Sequence, residues 1–151
     1  MCTGPARRRW LALALLFATG AALLGACQTG FGGINVVREA GLAATTAIEI
    51  REQASKPGMD QLRQGAITEP ATIEQMVKAL DRRLPLGPLT ECLAQYRLRF
   101  LLPDGRAEEF DYFCEGGASF LRGSQPFWKV QQIQPPAGFD EVMRRALAEL
   151  K

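Results

Sequence analysis

No histidine occurs among the 151 residues. That absence excludes Ser-His and Cys-His dyads, the ordinary His-based zinc sites and any imidazole acid–base catalyst. Cysteine is scarce, with four in the chain and no Cys-x-x-Cys spacing, so a tightly spaced catalytic dithiol is excluded as well. No internal repeat is visible, and no long run of like charge. Gly30-x-Gly32-Gly33 lacks the preceding strand and the following helix with lysine that a phosphate loop needs. Ser119 and Ser124 lack the Gly-x-Ser-x-Gly context and any base.

What is present begins with a leader. Arg7-Arg8-Arg9 form a positive segment, Trp10 to Leu24 an apolar one, and Leu24-Gly25-Ala26-Cys27 closes it with small residues before a cysteine. The last four residues resemble the lipobox of bacterial lipoproteins. That resemblance implies lipid on Cys27 and cleavage in front of it, so that residues 1–26 are a signal peptide. Two rivals stand beside it: an uncleaved membrane helix, for which the apolar run is short and broken by Gly20, and an ordinary cleaved leader. Two or more acyl chains give stable anchoring, where a single chain holds only marginally. The localisation expected is export, with attachment to the outer face of the cytoplasmic membrane, or to the outer membrane in a Gram-negative host.

The formal net charge of +2 belongs to the leader. Without its three arginines the 18 basic residues become 15, against 16 acidic ones, which gives no electrostatic case for nucleic acid. Once Cys2 leaves with the leader and Cys27 takes lipid, Cys92 and Cys114 are the remaining pair. Outside the cytoplasm they are expected as a structural disulfide rather than a redox pair. It would contribute about 3 kcal/mol in the chain-entropy account.

Residues 27–46, rich in Gly, Ala and Thr, read as a lipidated flexible tether, and residues 47–151 as one small domain. Ala47 to Glu52 alternates and predicts a strand. Thr68 as cap, with Pro70 in the first turn and a possible Thr72/Gln75 capping box, starts a helix over about 70–83. Ile73, Met76, Val77, Leu80 and Leu84 form its apolar face. Pro103-Asp104-Gly105 between two alternating runs predicts a hairpin over about 92–114, with Leu102 opposite Arg106. That register pairs Tyr96 with Tyr112, Leu98 with Phe110 and Ala94 with Cys114 on one side. On the other it pairs Arg97 with Asp111 and Arg99 with Glu109. Phe127 to Ile133 is a candidate third sheet strand. A last amphipathic helix spans about 139–150, with Asp140 and Glu141 at its positive end. These elements predict a small two-layer α+β domain, an antiparallel sheet built on the hairpin and packed by the two helices.

The phrase Ile67-Thr68-Glu69-Pro70-Ala71-Thr72-Ile73, then Cys92, the Leu98-x-Phe100…Asp104-Gly105-Arg106 hairpin and Cys114-Glu115-Gly116, resembles a family of small exported bacterial proteins of unknown function. The resemblance spans about Ala66 to Leu147 and implies a fold but no activity. Where that family often has glycine directly before the second cysteine, Phe113 stands here.

For function, the carboxylates Glu108, Glu109, Asp111 and Glu115 read as partners for strand arginines, not as a metal or catalytic set. No metal and no cofactor is expected. Phe120, Arg122, Phe127 and Trp128, in a loop-like stretch, are residue types that dominate binding hot spots. The competing reading places Phe120 and Trp128 in the core. The function expected is a non-enzymatic, membrane-anchored interaction or envelope-associated domain whose partner is an envelope protein. The alternative is a binder of a small apolar or lipid ligand in a groove near Trp128.

Overall fold

The computed structural model describes residues 32–54, 62–89, 93–115, 118–129 and 131–151, with the side chains of residues 114 and 115 excepted. The leader, Cys27, Cys92 and the side chain of Cys114 lie outside the described residues, and with them the lipid and disulfide assignments.

The fold is α+β, with seven strands in a single antiparallel sheet. In chain order the strands are β1 (Ala47–Glu52), β2 (Gln64–Ile67), β3 (Leu86–Pro88), β4 (Tyr96–Leu101), β5 (Ala107–Glu115), β6 (Ala118–Gly123) and β7 (Gln131–Ile133). Across the sheet they run β2-β1-β4-β5-β6-β7-β3. Among the described residues the α-helices are α1 (Val36–Ala40), α2 (Pro70–Leu80) and α3 (Ala137–Ala148).

The β4–β5 hairpin has the register expected of it. Tyr96 faces Tyr112, Leu98 faces Phe110, Arg97 faces Asp111 and Arg99 faces Glu109. Gly105 takes the left-handed conformation at φ 83°, and the Leu102 N–H donates to the Arg106 carbonyl at 2.9 Å. Asp104 accepts from the backbone N–H of Arg106 at 3.0 Å and from its guanidinium at 2.7 Å, which clamps the turn. β1 also falls on its expected residues and pairs antiparallel with β4 on one side and β2 on the other.

Four expectations are corrected. The tether to residue 46 is instead structured from Ile34, which pairs in a β-bridge with Leu84. Asn35 caps α1 by accepting from the Arg38 N–H at 3.0 Å, and Gly41 closes the helix at φ 69°. Val36 and Leu42 are fully buried, so this segment belongs to the core. The sheet is larger than a hairpin with one or two added strands, because β2, β3 and β6 also join it. α2 stops at Leu80, and Leu84 lies beyond it in the bridge with Ile34. The stretch read as a loop before Trp128 is strand β6 up to Gly123, paired along β5 from Glu115 to Phe110.

Ile48, Ile50, Leu98, Phe100, Phe110, Tyr112, Leu121 and Ile133 are buried from the sheet. They share one apolar cluster with Ile73, Met76 and Leu80 of α2 and Phe139, Val142 and Met143 of α3. The alternation that buries these residues turns Glu49, Arg51, Arg97, Arg99, Glu109, Asp111 and Arg122 to the other face. β2, α2 and β3 follow one another in the chain yet lie at opposite margins of the sheet. The segment 64–88 therefore runs from one margin to the other, with α2 packed into the core between them.

Candidate functional site

Strand alternation separates the residues singled out as a binding surface. Trp128 ends a short 3-10 turn, Pro126–Trp128, and is 1% exposed. Its indole N–H donates to Gln125 Oε1 at 2.9 Å, and its ring meets Phe110 edge-on with centroids 6.1 Å apart. Phe127 packs on Trp128 at 5.5 Å and lies half-buried against the core. Phe120 and Arg122 lie on the opposite face of the sheet. There Phe120 pairs with the buried Phe113, ring centroids 5.7 Å apart, and Arg122 faces Asp111. The four residues therefore form no common surface, and the Trp128 ring is shut off from solvent.

Gly123 explains how the tryptophan is seated. A Cβ built there would collide with Gln125 Oε1 and Trp128 Nε1 and lie 3.0 Å from Trp128 Cε2. The indole thus packs on bare backbone, a use of strand glycine that also breaks the side-chain pattern in the sequence.

The polar face carries a charge network. Arg99 bridges Glu49 at 2.6 Å and Glu109 at 3.1 Å, across three strands. Asp111 gathers Arg97 at 3.2 Å, Arg122 at 3.5 Å and the Gln53 amide at 3.1 Å. These charged side chains are between 21% and 46% exposed, and each pair contributes no more than about 1 kcal/mol. Glu108, by contrast, lies at the edge of the core side, where it accepts from the Gln125 amide. Among the described residues no group of three or more Cys, Asp or Glu side chains could hold a metal ion.

Arg51 stands apart within this network. It lies directly opposite Arg97 in the β1–β4 ladder and meets no carboxylate among the described residues. Like charges placed directly opposite are destabilising. The two arginines, with Arg99, Glu49, Gln64 and Ala66, line a cleft of about 430 Å³ over β2, β1 and β4.

On the other side of β2 lies a second cleft, of about 370 Å³, between that strand and the C-terminal half of α3. Ile67, Val142, Ala146 and Leu150 supply its apolar lining, and Thr68, Glu69 and Arg145 its polar rim. Leu150 reaches over Gly65, where a Cβ would lie 2.7 Å from its Cδ2. Nearby, Arg63 grips Glu52 with Nε at 3.0 Å and Nη2 at 3.1 Å, and Nη2 also reaches the Tyr96 hydroxyl at 3.2 Å. This fork, with the Arg63 backbone N–H, holds the Glu52 carboxyl below its ordinary pKa.

Sequence reasoning did not find two features. Asp140, expected only as a charge suited to the helix terminus, accepts from the Tyr112 hydroxyl at 3.0 Å and the Ser119 hydroxyl at 2.5 Å. Both donors are buried, so the carboxylate ties the start of α3 to β5 and β6. The signal available was Tyr112, which alternation sends inward and whose hydroxyl then needs a partner. The other feature is β2 with its flanking clefts, for which a four-residue strand of Gln, Gly, Ala and Ile offers no periodic signal.

No protein-family model, no curated protein and no solved structure matches this chain. Among the described residues, no helix is long and apolar enough to cross a membrane.

Proposed function

We propose that this chain is an exported lipoprotein, cut before Cys27 and held on a membrane surface by lipid on that cysteine. Its domain, which we read as two layers with the helices on one side of the sheet, serves as a non-enzymatic interaction module. The observation that carries this reading is the run Leu24-Gly25-Ala26-Cys27 after an apolar segment led by three arginines. The start of the fold adds a geometric consequence. Ile34 is already paired with Leu84, only seven residues past Cys27, a length that spans at most about 25 Å when fully extended. A domain on so short a lead works close to the bilayer, and its partner is an envelope protein within that reach. Cys92 and Cys114 as a disulfide suit the same compartment. The rival reading, an apolar or lipid ligand beside Trp128, loses its place because that ring is buried against Phe110 and Phe127.

The test is intact-mass analysis of the protein from its native membrane, before and after reduction, beside a Cys27→Ser variant. Loss of residues 1–26, a lipid adduct absent from the variant and a gain of two protons on reduction are the expected results. An unprocessed chain, or a processed chain without lipid, overturns the anchor. Free Cys92 and Cys114 before reduction overturn the disulfide.

A further inference from the structure

The two margins of the sheet are built differently. β3 has three residues, ends in Pro88 and follows Pro85, so it is short and poor in donors. Proteins blunt exposed edges in this way to prevent unwanted pairing. β2, Gln64-Gly65-Ala66-Ile67, carries no proline and no charge at the opposite margin. Its ladder to β1 is set by the Glu52 N–H donating to the Arg63 carbonyl at 2.8 Å. Antiparallel alternation then turns the backbone groups of Gly65 and Ile67 toward β1 and those of Gln64 and Ala66 outward. The Gln64 N–H is taken by the Lys151 carbonyl at 3.0 Å. The N–H and C=O of Ala66 meet no partner among the described residues.

An eighth strand laid on β2 would pair with Ala66 and send its side chains alternately to the two faces. On the helix side they would meet the cleft lined by Ile67, Val142, Ala146 and Leu150. On the other side they would pass over Ala66, too small to obstruct them; Glu49, in register with Ala66, is held by Arg99, and Arg51, which meets no carboxylate among the described residues, lies on the diagonal behind Gln64 beside Arg97.

We infer that β2 is a docking edge for an extended segment of a partner protein in which small apolar and acidic side chains alternate. The apolar side chains fill the cleft against α3, and the acidic ones neutralise Arg51 opposite Arg97. Charge complementarity selects such a segment over a second copy of this chain, because β2 brings no carboxylate of its own. The inference deepens the interaction-module reading and is independent of the lipid anchor.

The experiment uses the full chain and a fluorescein-labelled peptide of alternating valine and glutamate, with a valine–lysine peptide as control. Binding is followed by anisotropy, and exchange of the Ala66 amide by NMR. The glutamate peptide is expected to bind at least tenfold more tightly than the lysine peptide and to protect the Ala66 N–H. Arg51→Ala weakens its binding severalfold. Ala66→Pro removes it while leaving thermal unfolding near that of the parent, because this N–H meets no partner among the described residues. If Ala66→Pro does not fold, Arg51→Ala and amide protection decide the matter. Equal binding of the two peptides, an unprotected Ala66 amide, or a folded Ala66→Pro variant that still binds would overturn the inference. So would self-association of the parent that Ala66→Pro abolishes, since the edge would then belong to a second copy. In cells, an envelope protein crosslinked equally by parent and a folded Ala66→Pro variant would refute the docking edge alone. The absence of any crosslinked envelope protein would refute the interaction module itself.

Discussion

Replacing Gly123 by alanine places a methyl group where the edge of the Trp128 ring lies, 3.0 Å from Cε2 and in collision with Nε1. Neither partner can yield cheaply. Gly123 is held opposite Phe110 in the β5–β6 ladder, and the indole is wedged between Phe110 and Phe127. Forcing an extra carbon into such a site costs about 1–3 kcal/mol. Trp128→Ala removes the ring itself and costs about 3–5 kcal/mol, as for other large aromatic deletions from a core. The informative variant is the double one. With the indole gone, the closest remaining neighbour of the alanine at 123 is the end of the Gln125 side chain, a flexible group that can shift at the cost of its hydrogen bond to Glu108. An alanine within a strand is then favoured over glycine by about 0.5–1 kcal/mol through its smaller loss of backbone freedom. The penalty at 123 therefore changes sign between backgrounds, giving a coupling of about 1.5–4 kcal/mol between the two sites. Urea titration followed by far-UV circular dichroism reads this without relying on tryptophan emission. A slope of about 1–3 kcal/mol per molar converts it to a midpoint difference on the order of 1 M. Equal penalties for Gly123→Ala in both backgrounds would refute the claim that the indole rests on this backbone.

Two further outcomes follow from buried and surface pairs. Asp140→Ala removes the carboxylate to which the buried hydroxyls of Tyr112 and Ser119 donate and should cost about 2–6 kcal/mol, at about 1–3 per hydroxyl. Adding Tyr112→Phe should recover part of that loss in the same urea titration; no recovery would show that the tyrosine hydroxyl finds another partner. Glu52 has its pKa lowered by Arg63, and Asp104 by Arg106, chiefly through side-chain hydrogen bonds. A depressed carboxyl contributes stability above its unfolded pKa, near the ordinary values of 4.5 and 3.8, and loses it as pH falls through the lower folded value. Melting temperature should therefore drop as pH falls below about 4.5, less steeply in Glu52→Gln than in the parent; identical slopes would remove Glu52 from the account.

The hairpin was legible because three independent signals agreed on one register: the turn residues, the apolar alternation and the charges at Arg97, Arg99, Glu109 and Asp111. β1 was legible from alternation alone, though its neighbours in the sheet were not. β6 was missed because glycines at both ends and a mixture of aromatic and basic residues suggest a loop. Its alternation, with Ser119 and Leu121 inward and Phe120 and Arg122 outward, becomes clear only beside β5. The same period of two broke up the candidate binding cluster, since neighbours in a strand cannot share a face. The region around α1 misled through composition: Gly, Ala and Thr read as flexible, while Asn35 and Gly41 are a start and a stop for a helix of five residues. β2 and β3 are too short for any periodicity, and each is a strand only because another segment pairs with it, β1 for β2 and the distant β7 for β3.

The path of segment 64–88 also bears on how strain moves through the molecule. Its first strand is the outermost on one side, its last the outermost on the other, and the seven strands, margins included, span roughly 29 Å at ordinary spacing. A sheet of this kind ordinarily frays from its two margins separately, each with its own opening free energy. Here the margins are the ends of one strap whose middle, through Ile73, Met76 and Leu80, is locked in the core. Because both ends hang from this helix, an opening of the core around Ile73, Met76 and Leu80 should release the two margins to hydrogen exchange together. A partner bound at β2 would hold that helix from one side and so oppose the release of β3 and the Ile34–Leu84 bridge on the other.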